Sequence, residues 1–135
     1  MKKIAFFFVI VFVAMVSTEA NAQFTRDLGK SLKAPKDFDQ VHSEIIYSDP
    51  FGTNTVLFIK EGVPSHVHRV HTETIYVIEG KGYMRVGIKK IDLRPGVVVV
   101  VPPTVVHSAV VTSGKPLKVI TFHTPEYKGE DMELR

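Results

Sequence analysis

The chain has 135 residues, a formal net charge of +3 and no cysteine. Without cysteine, disulfides, thiolate ligands and thiol nucleophiles are all excluded, so any metal ion has to be held by nitrogen and oxygen atoms. The charged residues are dispersed, with no basic cluster interleaved with aromatic side chains, which argues against nucleic acid as a partner.

The first 22 residues have the pattern of a secretory signal peptide. Lys2 and Lys3 precede an apolar run from Ile4 to Val16, and an A-x-A cleavage box occupies residues 20–22. This apolar run is shorter than the roughly 20 residues needed to span a bilayer, so removal is expected rather than retention as an anchor. We therefore predict an exported protein, periplasmic or secreted, with no membrane association after cleavage.

The residues that remain after cleavage suffice for one domain only. Residues 23–40 are polar and predict an N-terminal arm on the outside of the domain. Residues 41–127 carry the strand pattern of a β-barrel domain, and residues 128–135 are expected to form a C-terminal tail.

From residue 41 onward, short segments rich in Val, Ile, Thr and aromatic residues alternate with turn-forming Gly, Pro, Asp and Ser. After a first strand that begins near residue 41, strands are predicted at 53–60, 66–70, 74–78, 83–88, 97–101, 105–111 and 117–123. Many short strands at near-regular spacing predict an all-β sandwich or barrel.

Residues 97–101 are five consecutive valines. Such a run predicts a strand buried on both faces, and Pro102 and Pro103 end it because proline donates no ladder hydrogen bond.

Three histidines and one carboxylate form a candidate metal site. His66 and His68 are two residues apart on a predicted strand, so their side chains project from the same face. Four residues separate His68 from Glu73, enough for a bend that brings the carboxylate beside the imidazoles. The fourth ligand, His107, lies beyond another strand and requires the tertiary fold to reach the others.

These residues resemble the first of two motifs that mark the cupin superfamily. That motif has a glycine, two histidines separated by one residue, a glutamate and a closing glycine. His66, His68, Glu73 and Gly80 match it in spacing, and Lys60 stands where the opening glycine is expected.

The second motif matches in its outer positions. Gly96, Pro102 and His107 have the expected spacing, whereas Thr104 replaces an inner glycine and Val111 replaces a terminal asparagine. The ligand positions survive, and the turn before His107 is the part of the pattern that departs.

The resemblance implies an all-β, single-domain, cupin-like β-barrel, also described as a double-stranded β-helix or jelly roll. It also implies His66, His68, Glu73 and His107 as ligands of a divalent transition metal. Nitrogen and oxygen ligands suit iron, manganese, nickel, zinc or copper.

Other residues are candidates for acid–base roles near the metal. Glu73 is a candidate base if its metal bond loosens, and His71 a candidate ligand or proton shuttle, although a solvent-side histidine in the bend is the favoured interpretation. Tyr76 and His123 are further candidates. The simpler interpretations are a core aromatic residue for Tyr76 and a hydrogen-bonded neighbour of the core for His123.

Two functions of different classes remain open. The first is a metal-dependent enzyme of the dioxygenase, isomerase, decarboxylase or lyase type, acting on a small molecule in the barrel. The alternative is a non-catalytic periplasmic module that binds or senses a small ligand or the metal itself, and a purely structural metal is a third interpretation. We also expect a homodimer formed through edge strands near residues 45–47 or 117–122.

Overall fold

The computed structural model of the protein describes residues 27–28 and 32–135. The predicted signal peptide lies outside the described residues. Within them the chain forms ten strands and no helix: β1 Val41–Asp49, β2 Gly52–Ile59, β3 Gly62–His68, β4 Thr72–Glu79, β5 Gly82–Val86, β6 Lys89–Leu93, β7 Val98–Val101, β8 His107–Val111, β9 Leu117–Thr124 and β10 Met132–Leu134. The described part of the chain accordingly offers no helix with the length and hydropathy needed to cross a membrane.

The strands form two five-stranded antiparallel sheets. One has the order β1-β2-β9-β4-β7, and the other has the order β10-β3-β8-β5-β6. The main apolar core lies between them and draws on residues of both. The prediction of a single-domain, all-β barrel is confirmed.

Period-two alternation decides which side chains enter this core. On β4, Glu73, Ile75 and Val77 are buried, whereas Tyr76 is exposed. Burial of an aliphatic side chain of this size contributes roughly 1.5–3 kcal/mol, so the alternation fixes the register of β4 strongly. Glu73 is therefore carried into the interior by the same pattern that buries its apolar neighbours.

The strand buried on both faces is β9, not the valine run. β7 lies at the edge of its sheet, and its Val98 and Val100 are 56% and 54% exposed. β9 is central, and its residues 117–121 are all buried. The prediction for 97–101 was wrong because valine suits a pleated strand whether one face or both are covered.

The C-terminal segment is part of the barrel. Residues 128–135, expected as a tail, contribute β10, which pairs with β3 so that Met132 lies opposite His68 and Leu134 opposite His66. β10 and β6 were both missed, since each is short and carries charged residues without a clear apolar alternation.

The turn between β7 and β8 keeps a glycine-like backbone conformation at Thr104, the position where the cupin motif has glycine. This residue has φ of 68°, a left-handed conformation that suits glycine, and Val105 N–H donates to Pro102 O across the turn at 3.4 Å. A type II turn needs such a conformation at its third residue. The amide of Thr104 donates to His68 O at 2.7 Å, so the turn is tied to the end of β3 despite the β-branched side chain.

The N-terminal arm covers the outer face of β2. Leu32 is buried with Val56 and Phe58 in a second apolar cluster. The buried Lys118 of β9 donates from Nζ to the carbonyl oxygens of Leu28 and Leu32. This ammonium group fastens the arm to the barrel through charge-assisted hydrogen bonds.

Replacing Thr104 by glycine should raise the free energy of unfolding by about 0.5–1 kcal/mol, because relief of the left-handed strain exceeds the entropic cost of glycine. Urea denaturation measures this change. The matched control is Thr112→Gly, which is also exposed but lies outside the residues with positive φ, and which should lose stability. Equal losses in both variants would contradict strain at Thr104.

Lys118→Met should loosen the N-terminal arm, since two backbone carbonyls lose a charged donor at about 1.5–3 kcal/mol for each such hydrogen bond. We expect faster tryptic cleavage after Lys33 and Lys36, with the barrel strands still protected, as measured by limited proteolysis and mass spectrometry. Lys81→Met, on an exposed lysine, serves as the control. Unchanged cleavage in Lys118→Met would show that other contacts, such as the hydrogen bond from Lys60 Nζ to Phe38 O, hold the arm.

Candidate metal centre

The four predicted ligands come together between the two sheets. His66 and His68 lie on β3 and His107 on β8, with His66 directly opposite His107 in the ladder. Glu73 reaches them from β4 in the facing sheet. All four are buried, and one donor atom from each lies within 4.8 Å of the others. The bend after His68 positions the carboxylate as the spacing predicted.

Backbone carbonyls fix the tautomers of the three histidines. A carbonyl oxygen only accepts, so an Nδ1 beside one has to carry the proton. The acceptors are Pro64 O for His66 at 2.8 Å, Val105 O for His107 at 2.9 Å and Asp131 O for His68 at 3.2 Å. In the neutral rings this leaves the Nε2 lone pairs free, which is how metal-binding histidines are oriented in proteins.

The Glu73 carboxylate is ionised inside the barrel. Its Oε2 lies 3.1 Å from His107 Nε2 and 4.0 Å from His68 Nε2. Burial opposes ionisation, but the hydrogen bond from His107 and the surrounding rings outweigh it and lower the pKa of Glu73. A carboxylate and an imidazole nitrogen at this separation share either a proton or a cation.

The histidines respond differently to this environment. Burial lowers the pKa of His66 and of His68 below the usual value. For His107, burial acts in the same direction, but the hydrogen bond with Glu73 overrides it and raises the pKa. The cluster therefore holds one negative charge and at least two neutral imidazoles, a donor set suited to a divalent ion.

His123 lies in the centre, whereas the sequence favoured a hydrogen-bonded neighbour of the core. It is buried, and among the described residues neither ring nitrogen has a hydrogen-bond partner. Its Nε2 lies 3.6 Å from Glu73 Oε1, too far for a hydrogen bond, and its ring stacks on Tyr127 with centroids 4.4 Å apart. Burial lowers the pKa of His123 to about 4, so the ring is neutral.

His71 is buried as well, not on the solvent side of the bend. Its Nδ1 donates to Asp131 Oδ2 at 2.6 Å and its Nε2 to Glu126 O at 2.8 Å. Burial opposes protonation, but the two acceptors outweigh it and raise the pKa of His71. Both nitrogens are engaged, so the structure gives His71 a role in holding the bend and not as a metal ligand.

Asp131, directly before β10, holds that bend in place. Its carboxylate accepts from the backbone amides of Arg69, Val70 and His71 at 2.9–3.3 Å, and its carbonyl accepts from His68. Sequence reasoning missed Asp131 and Tyr127, because both lie at the end of the chain with no motif spacing to mark them.

Tyr76 is placed away from the centre. It is 41% exposed and points from the opposite face of β4 to Glu73, since the two are an odd number of residues apart. The structure therefore gives it no contact with the candidate ligands. Tyr76 faces away from the ligands because side chains alternate along β4, and the same alternation buries Glu73.

A cavity of about 470 Å³ adjoins the cluster. The five cluster side chains, including His123, form part of its wall together with Tyr127. This volume falls in the range of about 300–1,000 Å³ that is typical of small-molecule sites.

Comparison with known proteins places these features in a family. A family model described as a cupin domain matches residues 57–123, which include all four candidate ligands and His123. Uncharacterized protein MJ1618 of Methanocaldococcus jannaschii is 29% identical over 85 residues, which make up 63% of this chain and 62% of that protein. The chain thus spans less than two thirds of that relative's length.

Solved structures share the fold at low sequence identity. KdgF from Halomonas sp. is 22% identical, with 69% of this chain and 86% of that chain covered and a TM-score of 0.63. A Klebsiella pneumoniae protein with a double-stranded β-helix domain is 18% identical, with coverage of 82% and 95% and a TM-score of 0.68. Pac13 of Streptomyces, a nucleoside dehydratase, is 15% identical, with coverage of 71% and 78% and a TM-score of 0.61. With the two-sheet barrel and both motifs in place, the chain belongs to the cupin superfamily.

Proposed function

We propose that this protein is a metal-dependent enzyme that acts on a small molecule bound inside the barrel. One observation carries the proposal: four converging donor atoms lie in the wall of a cavity large enough for a substrate. A purely structural metal site is closed by protein ligands and does not require an adjoining cavity.

The residues present fit a divalent transition metal. The donor set is three imidazole nitrogens and one carboxylate oxygen, which suits iron, manganese, nickel, zinc or copper. The carbonyl-bound Nδ1–H groups orient the rings in advance, so little rearrangement is needed to bind an ion. Such an ion supplies Lewis-acid polarisation of a substrate oxygen when bound.

Glu73, His123 and Tyr127 form the polar surroundings of the proposed metal ion. Glu73 directs Oε2 towards the histidine ligands and Oε1 towards His123, so one carboxylate lies between the ligands and the His123 ring. Tyr127 holds that ring by stacking. The apolar walls around them lower the local dielectric constant, which strengthens the electrostatic interactions inside.

A non-catalytic module for binding or sensing is the alternative. It requires the same cluster and cavity but no group that moves a proton. A turnover screen with metal-loaded protein against small carboxylates, enols and sugars, with dioxygen uptake followed, separates the two. Consumption of any of these substrates supports the enzyme, and saturable binding with no turnover across the screen supports the module.

His107→Ala should remove metal binding, because one of four ligands is lost and Glu73 is left without its hydrogen-bond partner. Affinity should fall by more than the roughly 10–100-fold that loss of an outer-shell partner costs. Elemental analysis of the purified protein and zinc titration measure the change.

The matched control is His42→Ala, since His42 contacts Phe38 and Phe58 on the outer side and no ligand of the cluster. It should bind metal like the wild type. If wild type and His107→Ala both lack metal after zinc titration, the proposal fails.

Asp131→Asn should lower metal affinity by about 10–100-fold although the residue is not a ligand. The carboxylate accepts three backbone amides and the His71 ring, and the amide group of asparagine supplies a donor where an acceptor is needed. Zinc titration measures the effect against Asp92→Asn, a change at an exposed residue of β6. Wild-type affinity in Asp131→Asn would show that the bend is held by other contacts.

A further inference from the structure

We propose that the molecule bound in this cavity is mostly apolar and carries one oxygen-bearing polar end, which lies at the metal cluster and hydrogen-bonds to His123. This inference rests on the proposed function and names the substrate class of the same site. It excludes sugars, sugar phosphates and other molecules that are polar or charged along their whole length.

The walls of the cavity away from the cluster are aliphatic. Their side chains come from both sheets and are buried: Ile59, Ile75, Met84, Leu93, Leu117 and Val119. A hydroxyl placed against such a wall loses its hydrogen bonds to water without replacement, at about 1–3 kcal/mol for each group. A polyhydroxylated body is therefore disfavoured, and an apolar body gains from burial.

Two of the three threonines in the wall already use their hydroxyls in hydrogen bonds to the protein. Thr53 Oγ1 donates to Tyr127 O and accepts from Tyr127 N–H, and Thr121 Oγ1 donates to Thr55 O. Those two satisfy the backbone of the barrel. The other hydroxyls of the wall belong to Ser43, Thr55 and Ser108, which lie on three different strands, β1, β2 and β8.

Among the described residues, the cavity wall has no buried lysine or arginine that could pair with a second anionic group of a ligand. Apart from the cluster and Tyr127, Lys128 is the one ionisable residue among the described residues that line the cavity. Its side chain is 69% exposed and its Nζ lies 3.1 Å from Glu126 Oε2. A phosphate or second carboxylate deep in the cavity would lie buried without a countercharge, which is costly.

The aliphatic wall reaches the mouth of the cavity at β1. β1 is an edge strand of its sheet, opposite to β7, and its Val41 and Ile45 line the cavity while being 39% and 60% exposed. These side chains continue the aliphatic wall outwards. An apolar body can thus extend from the cluster towards the mouth under β1.

His123 supplies the point of polar recognition. It is 95% buried, it lines the cavity, and both ring nitrogens lack a hydrogen-bond partner in the part of the chain that the structure describes. An orphaned donor and acceptor inside the protein cost free energy that a ligand recovers by hydrogen bonding. Because the ring is stacked on Tyr127, this hydrogen-bonding group has a fixed orientation beside Glu73.

Three hydroxamic acids with the same metal-binding head test the proposal. They are acetohydroxamic acid, hexanohydroxamic acid and gluconohydroxamic acid, titrated by calorimetry into the zinc-loaded protein. Hexanohydroxamic acid has four more methylenes than acetohydroxamic acid, and burial of each should raise the affinity about fourfold. The hexano compound should therefore bind on the order of 100-fold more tightly than the aceto compound. The gluco compound, of equal chain length, should bind no better than the aceto compound. Gluconohydroxamic acid binding as tightly as the hexano compound would overturn the proposal.

His123→Phe tests the polar contact while keeping the stacked ring. Loss of one hydrogen bond should lower the affinity of the zinc-loaded protein for hexanohydroxamic acid by about 2–10-fold. The affinity of the protein for zinc should not change. If zinc affinity falls instead, His123 contributes to holding the metal and the proposed role is wrong. If hydroxamate affinity does not change, the ring makes no contact with the polar end.

Failure of this inference differs from failure of the proposed function. Zinc titration comes first, and absence of binding would remove the metal centre itself. Zinc binding followed by a preference for the polyhydroxylated compound would leave the metal centre intact and overturn the substrate class alone.

Discussion

Three hydrogen bonds from imidazole Nδ1–H groups to backbone carbonyls determine what the centre of this barrel can bind. They leave the Nε2 atoms of His66, His68 and His107 facing the Glu73 carboxylate. Because the acceptors belong to the backbone, the orientation depends on the paths of β3, β8 and the C-terminal segment. Any change that moves those strands moves the ligands.

The C-terminal segment matters more to the site than its length suggests. Tyr127 stacks on His123, Asp131 holds both His68 and the β3–β4 bend, and β10 closes the sheet beside His66. A polar cluster inside an apolar core is costly unless each member is paired, and this segment supplies much of the pairing. His123 is the exception, and for that reason it marks the position where a ligand is needed.

Local strand and turn patterns in the sequence predicted the all-β fold, and the two motifs that resemble those of the cupin superfamily predicted the four candidate ligands. Alternation along β4 buries Glu73, and the spacing of His66 and His68 places them on one face. The sequence could not predict that β7 is an edge strand or that His71 and His123 are buried, since these depend on which strands become neighbours. Asp131 acts through contacts more than 60 residues away, which no spacing reveals. Export of the mature chain and formation of a homodimer stay predictions.

The central claim is that a single divalent ion is held by three imidazoles and one carboxylate. X-ray absorption spectroscopy on protein loaded with one equivalent of zinc tests it most directly. The account predicts nitrogen and oxygen ligands at about 2.0–2.2 Å, with multiple scattering from three imidazole rings. A zinc shell with one imidazole or none, or loosely bound zinc surrounded by water, would contradict it.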